Sequence, residues 1–306
     1  MHVLQNGDAA IQCLIRSNDA DSGTWFEYHE GPTLLVAFAI YASWSMLLCC
    51  HHRLPWWMLA VAGGYVTQWH SSLQHEAIHA MRSVPKWLRI ALVYPPLGGW
   101  LPFELYRRSH MQHHRNGHLT CPRQDTESFY HNEKDWQDYG RLRRRVLILN
   151  QTFLGRLFIG PFLLVPRLYW NEARKVMSGD TTNLGVWLRH LFAFALILVA
   201  VTTIFGMPFW EYLTAFAYPG LVFGMVRSHT EHRWSGRPAA RTAVVESNWI
   251  FGLLFLWNNL HAVHHSFPAA PWYKLPRITC PDDRRRPFFP ERGDDWRTPC
   301  QPRSSR

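Results

Sequence analysis

Two pairs of apolar runs dominate this chain. Residues 33–50 (TLLVAFAIYASWSMLLCC) and 54–74 are separated only by His51-His52-Arg53, and residues 186–205 and 209–226 only by Gly206-Met207-Pro208. Each run approaches the ~20 residues that a helix needs to cross a bilayer core. Links this short return the chain at once, so each pair predicts a helical hairpin in a membrane. Trp56 and Trp57 behind Pro55 suit a membrane–water boundary. Arg189 and His190, near the start of the third run, are expected to snorkel to the surface. Residues 87–101, 146–170 and 250–257 are interrupted by Pro, Gly or Arg156, or are too short to cross; interfacial or partly embedded helices are expected there.

A mean hydropathy of -0.19 requires sizeable polar segments between the apolar ones. Those segments hold the charge. Of 32 Lys and Arg, 29 lie between Arg82 and Lys175 or between Arg227 and Arg306. With four crossings both blocks and the N-terminus share one side, and the positive-inside tendency makes that side cytoplasmic. A net charge of +10 raises nucleic acid as a partner, but the basic residues form no recognisable DNA- or RNA-binding motif, so no nucleic acid is expected. The six cysteines form no CxxC pair, which predicts reduced thiols and speaks against zinc ribbons and Cys-ligated iron–sulfur clusters. The first 30 residues lack the basic start and apolar run of a signal peptide.

Four histidine groups carry the chemistry: His75-Glu76-Ala77-Ile78-His79, His110-Met111-Gln112-His113-His114, His229-Thr230-Glu231-His232 and His261-Ala262-Val263-His264-His265. Spacings of three and four bring side chains to one helix face, and neutral imidazole is a good ligand for iron, zinc, copper or nickel. A lone histidine is more often a surface or satisfied core residue. One HxxHH arises by chance in such a chain with probability roughly 0.06, and two with about 0.002. Four crossings also place all four groups on one face. Eight or nine neutral ligands exceed what one zinc accepts, whereas two iron ions use them naturally. The ExxH pairs of carboxylate-bridged di-iron bundles are missing from this pattern.

HxxxH, HxxHH and HxxHH, in that order and separated by paired spans, resemble the three histidine boxes of the membrane fatty-acid desaturase and hydroxylase superfamily. The surrounding strings are similar to bacterial members: Leu73-Gln74, Leu119-Thr120, Asp125 to Ser128, Arg227-Ser228 before Glu231-His232, and Trp257-Asn258-Asn259-Leu260. The resemblance implies two ferrous ions held by His75, His79, His110, His113, His114, His261, His264 and His265. A further histidine after span four completes the set; His232 suits that role and His229 is the reserve. Asn258 is a candidate to act through water. Asp125 and Glu127 are read as solvated loop acids in preference to partners of ligand N–H groups. No haem or iron–sulfur motif occurs in the chain, so a separate electron donor is implied: a ferredoxin, a rubredoxin or cytochrome b5. The implied substrate is an acyl chain or similar aliphatic compound, and the implied product an alkene. Hydroxylases, ketolases and desaturases of small metabolites, such as the dihydrorhizobitoxine type, share the boxes.

His75 to His79 also satisfies the HExxH pattern of zinc metalloproteases, with Glu76 as base. That reading leaves both HxxHH groups unexplained, and a non-enzymatic metal carrier leaves the four spans unexplained. The expectation is therefore an all-α integral membrane protein, multi-pass in a bacterial inner membrane. About four transmembrane helices form two hairpins beneath a cytoplasmic helical cap that carries the metal site. Residues 1–32 form an N-terminal segment, 33–277 the membrane domain and 278–306 a disordered tail.

Overall fold

The computed structural model describes residues 24–235 and 241–279, with two further strand fragments, Leu14–Ile15 and Arg285–Arg286. The remainder of the expected N-terminal segment and of the expected tail lies outside the described residues. Helices build the molecule; among the described residues, strand pairing is confined to two-residue ladders and one isolated bridge.

The first expected hairpin is α1 (Gly31–Cys50) and α2 (Trp56–His79). The chain then forms α3 (Lys86–Val93), α4 (Phe103–Arg115), α5 (Arg141–Leu149), α6 (Phe153–Phe158) and α7 (Gly160–Met177). The second hairpin follows as α8 (Leu184–Thr203) and α9 (residues 209–231), the latter interrupted by a π-helical turn over Leu213–Ala217. Two short helices, α10 (Trp249–Leu254) and α11 (His261–Ser266), complete the order.

Gly31–Arg53 and Leu184–Thr203 are long and apolar enough to cross a membrane. Both are apolar on their outward faces as well: Leu35, Phe38 and Met46 on α1, and Leu188, Phe192 and Leu196 on α8, are exposed. Their hairpin partners are more polar inside. The 24 residues of α2 reach about 36 Å, yet Thr67, Gln68, His70 and Ser72 are buried along it.

Small residues let α2 and α9 approach closely. A Cβ on Gly63 would meet the Ala215 carbonyl oxygen at 2.5 Å, and one on Gly220 would meet Thr67 Cβ at 2.8 Å. The core then fills with Ile40, Leu48, Leu59, Leu73, Tyr212 and Phe216.

Residues 87–101, expected as an interfacial or partly embedded helix, are helical over only part of their length. α3 stops at Val93, and Pro95-Pro96 and Gly98-Gly99 hold the following segment irregular. Val93 and Leu97 are buried. Backbone carbonyls in such a place need donors, and all four long helices supply them. Tyr41 Oη donates to Leu92 O (2.8 Å), His70 Nε2 lies 3.2 Å from the same oxygen, and Gln74 Nε2 donates to Val93 O (2.7 Å). Tyr212 Oη donates to Leu97 O (2.9 Å), and His190 Nε2 to Gly99 O (3.0 Å). Gly99 has φ +67°, and Phe194 fills the space a side chain would need. His190 therefore does not snorkel: it is buried on this carbonyl, while Arg189 stays at the surface beside Glu104 (3.2 Å).

Residues 146–170 are divided among three helices, with breaks after Leu149 and Phe158. Residues 250–257 give the short α10, ended by positive φ at Leu256 and Trp257.

Candidate metal centre

The histidines arrive on four elements. The last turn of α2 presents His75 and His79, α4 presents His110, His113 and His114, His232 caps α9, and α11 presents His261, His264 and His265. They assemble into two groups. His75, His79, His110, His114 and His264 form one, and His113, His232, His261 and His265 the other; within each, the ligand atoms lie within 4.8 Å of one another.

The HxxHH spacing explains the division. Positions one and five of each box lie nearly one above the other on a helix, while position four is rotated away. His110 and His114 accordingly enter the five-membered group and His113 the other. In α11 the assignment is exchanged: His261 and His265 join the four-membered group and His264 the five-membered one.

Imidazole nitrogens face one another at short range. His114 Nε2 is 3.1 Å from His110 Nε2 and 3.0 Å from His264 Nε2; His261 Nε2 is 2.9 Å from His232 Nε2 and 3.0 Å from His265 Nε2. One proton per contact cannot satisfy such chains if the rings are neutral and their Nδ1 atoms are engaged elsewhere. His79 Nε2 and His113 Nε2 are buried with no hydrogen-bond partner at all. Burial, and after it repulsion from neighbouring imidazoles, pushes His114, His261, His264 and His265 below the ordinary histidine value. Neutral, converging lone pairs fit cations.

Asp125 and Glu127 are not solvated loop acids. Asp125 is 5% exposed; its Oδ1 lies 2.7 Å from His113 Nδ1 and accepts from Glu127 N (3.0 Å), while Oδ2 accepts from Thr120 N (2.7 Å). Glu127 Oε1 lies 3.0 Å from His110 Nδ1. An Nδ1–H held by a carboxylate leaves the Nε2 lone pair directed at the cluster. Burial works against both carboxylates. For Asp125 the hydrogen bond and charge of His113, and for Glu127 the charge and hydrogen bond of His110, hold each below its ordinary value.

Asn258 stands between the groups, its Nδ2 3.4 Å from His75 Nε2 and its Oδ1 3.4 Å from His261 Nδ1. His232 lies inside the four-membered group. His229 belongs to neither and packs on Phe129, with ring centres 5.0 Å apart. The carboxylate of Glu76 accepts from Trp272 N (3.1 Å). It thereby ties α2 to the segment Trp272–Arg277, which also reaches Glu27 through Tyr273 and Arg277. A metalloprotease base would have to serve a metal-bound water instead.

One pair escaped the sequence reading. Arg227 Nε and Glu231 Oε1 are 3.0 Å apart, Glu231 buried and Arg227 partly so, and Glu231 Oε2 comes within 3.7 Å of His261 Nδ1. Their i, i+4 spacing immediately before His232 was the available signal.

A protein-family model described as fatty acid desaturase matches residues 51–299, which include all nine clustered histidines. Among curated proteins, none matches the chain.

Proposed function

Because this chain belongs to the fatty acid desaturase family, we propose that its nine clustered histidines hold two iron ions and that it introduces a C=C bond into an acyl chain or similar aliphatic compound. The division of nine imidazoles into adjacent groups of five and four supports the assignment. When bound, the two irons would supply the oxygen-activating chemistry that breaks an unactivated C–H bond. The overall reaction takes one –CH2–CH2– unit, O2, two electrons and two protons to –CH=CH– and two waters.

The chain's own residues supply position and environment. Asp125 and Glu127 fix the tautomers of His113 and His110, one for each group. Asn258 keeps the two groups in register. Burial of His75, His110, His113, His261 and His264 excludes water from the reacting centre. The protein crosses the membrane four times in this reading, with the metal centre on the cytoplasmic side. The electrons come from a separate ferredoxin, rubredoxin or cytochrome b5 docking on the basic face.

Purified protein should hold two irons per chain. Cells supplying a compatible donor should accumulate a product two hydrogens lighter than its precursor, and His264→Ala should abolish that product while leaving membrane insertion intact. Mass spectrometry of lipids and polar metabolites reads the outcome. A product heavier by one oxygen drawn from O2 would make the enzyme a hydroxylase, and one tightly held zinc in active protein would reject the di-iron assignment.

A further inference from the structure

Helix α5 carries a concentration of positive charge that nothing nearby answers. Residues 139–171 contain six Arg and no Asp or Glu, and four of the six, Arg141, Arg143, Arg144 and Arg145, sit on α5. The ion pairs among the described residues involve other groups. Arg144 is committed within the protein: its Nη2 donates to Gln137 O (2.6 Å) and its guanidinium lies over the Trp136 ring. Arg143 stacks on Tyr139, 3.7 Å from the ring centre. Arg141, Arg143 and Arg145 are all exposed.

Large apolar side chains stand exposed on the same helix. Leu142 is 77% and Leu149 53% exposed. They stand at i and i+7, so with Val146 between them they form one stripe along the helix. At about 100° per residue, Arg141 and Arg145 border that stripe on one side and Arg143 borders it on the other. An apolar stripe edged by arginines is the pattern of a helix lying in the plane of a bilayer surface. Its leucines enter the acyl boundary while the guanidinium groups reach out to the headgroups. The chain runs on from this stripe into Phe153, Leu154 and Phe158 of α6, which are exposed as well. An acidic soluble protein would answer the arginines and leave the stripe; an anionic phospholipid answers both.

We propose that α5 lies in the headgroup layer of the cytoplasmic leaflet and binds anionic phospholipid through Arg141, Arg143 and Arg145, with Leu142, Val146 and Leu149 set into the acyl boundary. The contact seats the protein on the bilayer surface and involves neither the substrate nor the histidines. It rests on the membrane topology proposed above and not on the iron assignment. Each basic side chain held at an anionic surface strengthens binding about fivefold, so three together discriminate well between anionic and zwitterionic heads.

The test offers the purified full chain, in a neutral detergent, equal amounts of dioleoylphosphatidylglycerol and dioleoylphosphatidylcholine, and counts the retained lipids by native mass spectrometry. Phosphatidylglycerol should be preferred at least about tenfold. Arg141→Gln, Arg143→Gln and Arg145→Gln together should bring the ratio close to one, and the same three changes to Lys should keep most of it. Leu142→Ser with Leu149→Ser should weaken retention of both lipids and leave their ratio unchanged. All of these positions are exposed, so the fold does not depend on them. Equal retention of both lipids by the wild-type chain would overturn the headgroup proposal alone; retention of neither would overturn the membrane reading with it. A lipid ratio unchanged in the triple Gln variant, with binding of an acidic ferredoxin lowered instead, would give this face to the electron donor. Displacement of the lipid by glycerol 3-phosphate at comparable concentration would make it a site for free phosphate and likewise overturn the proposal.

Discussion

Asp125→Asn should loosen one metal position and spare the other. Asp125 has two jobs: Oδ1 accepts from His113 and from Glu127 N, and Oδ2 accepts from Thr120 N. An amide can keep only one set. With its oxygen toward His113, the amide NH2 meets the Thr120 N–H and leaves a buried donor unsatisfied, at about 1–3 kcal/mol. With its oxygen toward Thr120, both contacts at Oδ1 fail, and His113 loses the partner that holds its proton on Nδ1. The first arrangement is therefore preferred, and it turns a charge-assisted bond at 2.7 Å into a neutral one. Loss of such support to a ligand typically weakens metal binding about 10- to 100-fold. His113 belongs to the four-membered group, whereas Glu127 supports His110 in the five-membered one. Iron release into a chelator should thus become biphasic in Asp125→Asn, with one equivalent leaving at least about tenfold faster. Glu127→Gln should affect the other equivalent, and less so, because the Glu127 side chain is 29% exposed and solvent can replace part of the loss. Equal loosening of both equivalents in both variants, or no change in Asp125→Asn, would refute the one-carboxylate-per-group reasoning.

Gly63→Leu should destabilise the α2–α9 seam by at least ~1–3 kcal/mol, since its Cβ meets a backbone carbonyl that cannot turn aside; a thermal midpoint in detergent equal to wild type would contradict the close approach. Reporter fusions at Asp138 and after Pro276 should both mark the cytoplasm and one at Gly206 the far side. Opposite locations for Asp138 and Pro276 would mean an odd number of crossings between them.

Much of this centre was legible because helix periodicity is local. The spacings within residues 75–79, 110–114 and 261–265 fix which side chains share a face before any tertiary contact exists. His232 was preferred over His229 only through resemblance, and the structure places it within the cluster by ending α9 at Glu231 and turning the chain to extended geometry. Asp125 and Glu127 were misread for a different reason. They follow their histidine partners by 12 and 17 residues, and only the irregular turn through Thr120 and Asp125 folds them back. Nothing in sequence spacing encodes that return. His190 was misread because its acceptor, Gly99 O, is 91 residues away. Pro95-Pro96 and Gly98-Gly99 did announce a break in helix, but not that it would be drawn into the interior.

The carbonyls of Leu92, Val93, Leu97 and Gly99 also determine which pieces of the chain can exist alone. The donors of the first hairpin find acceptors close by in sequence: His70 is 22 residues from Leu92 and Gln74 is 19 from Val93. The acceptors at Leu97 and Gly99 must wait for Tyr212 and His190, 115 and 91 residues later. If both hairpins cross the membrane as proposed, a first hairpin inserted without the second would leave those two oxygens unanswered in an apolar setting, a penalty of several kcal/mol each where lipid replaces the missing helices. The two hairpins are therefore one cooperative unit despite their separate turns. Since His232 rides on the second, the four-membered histidine group can close only after that unit is complete.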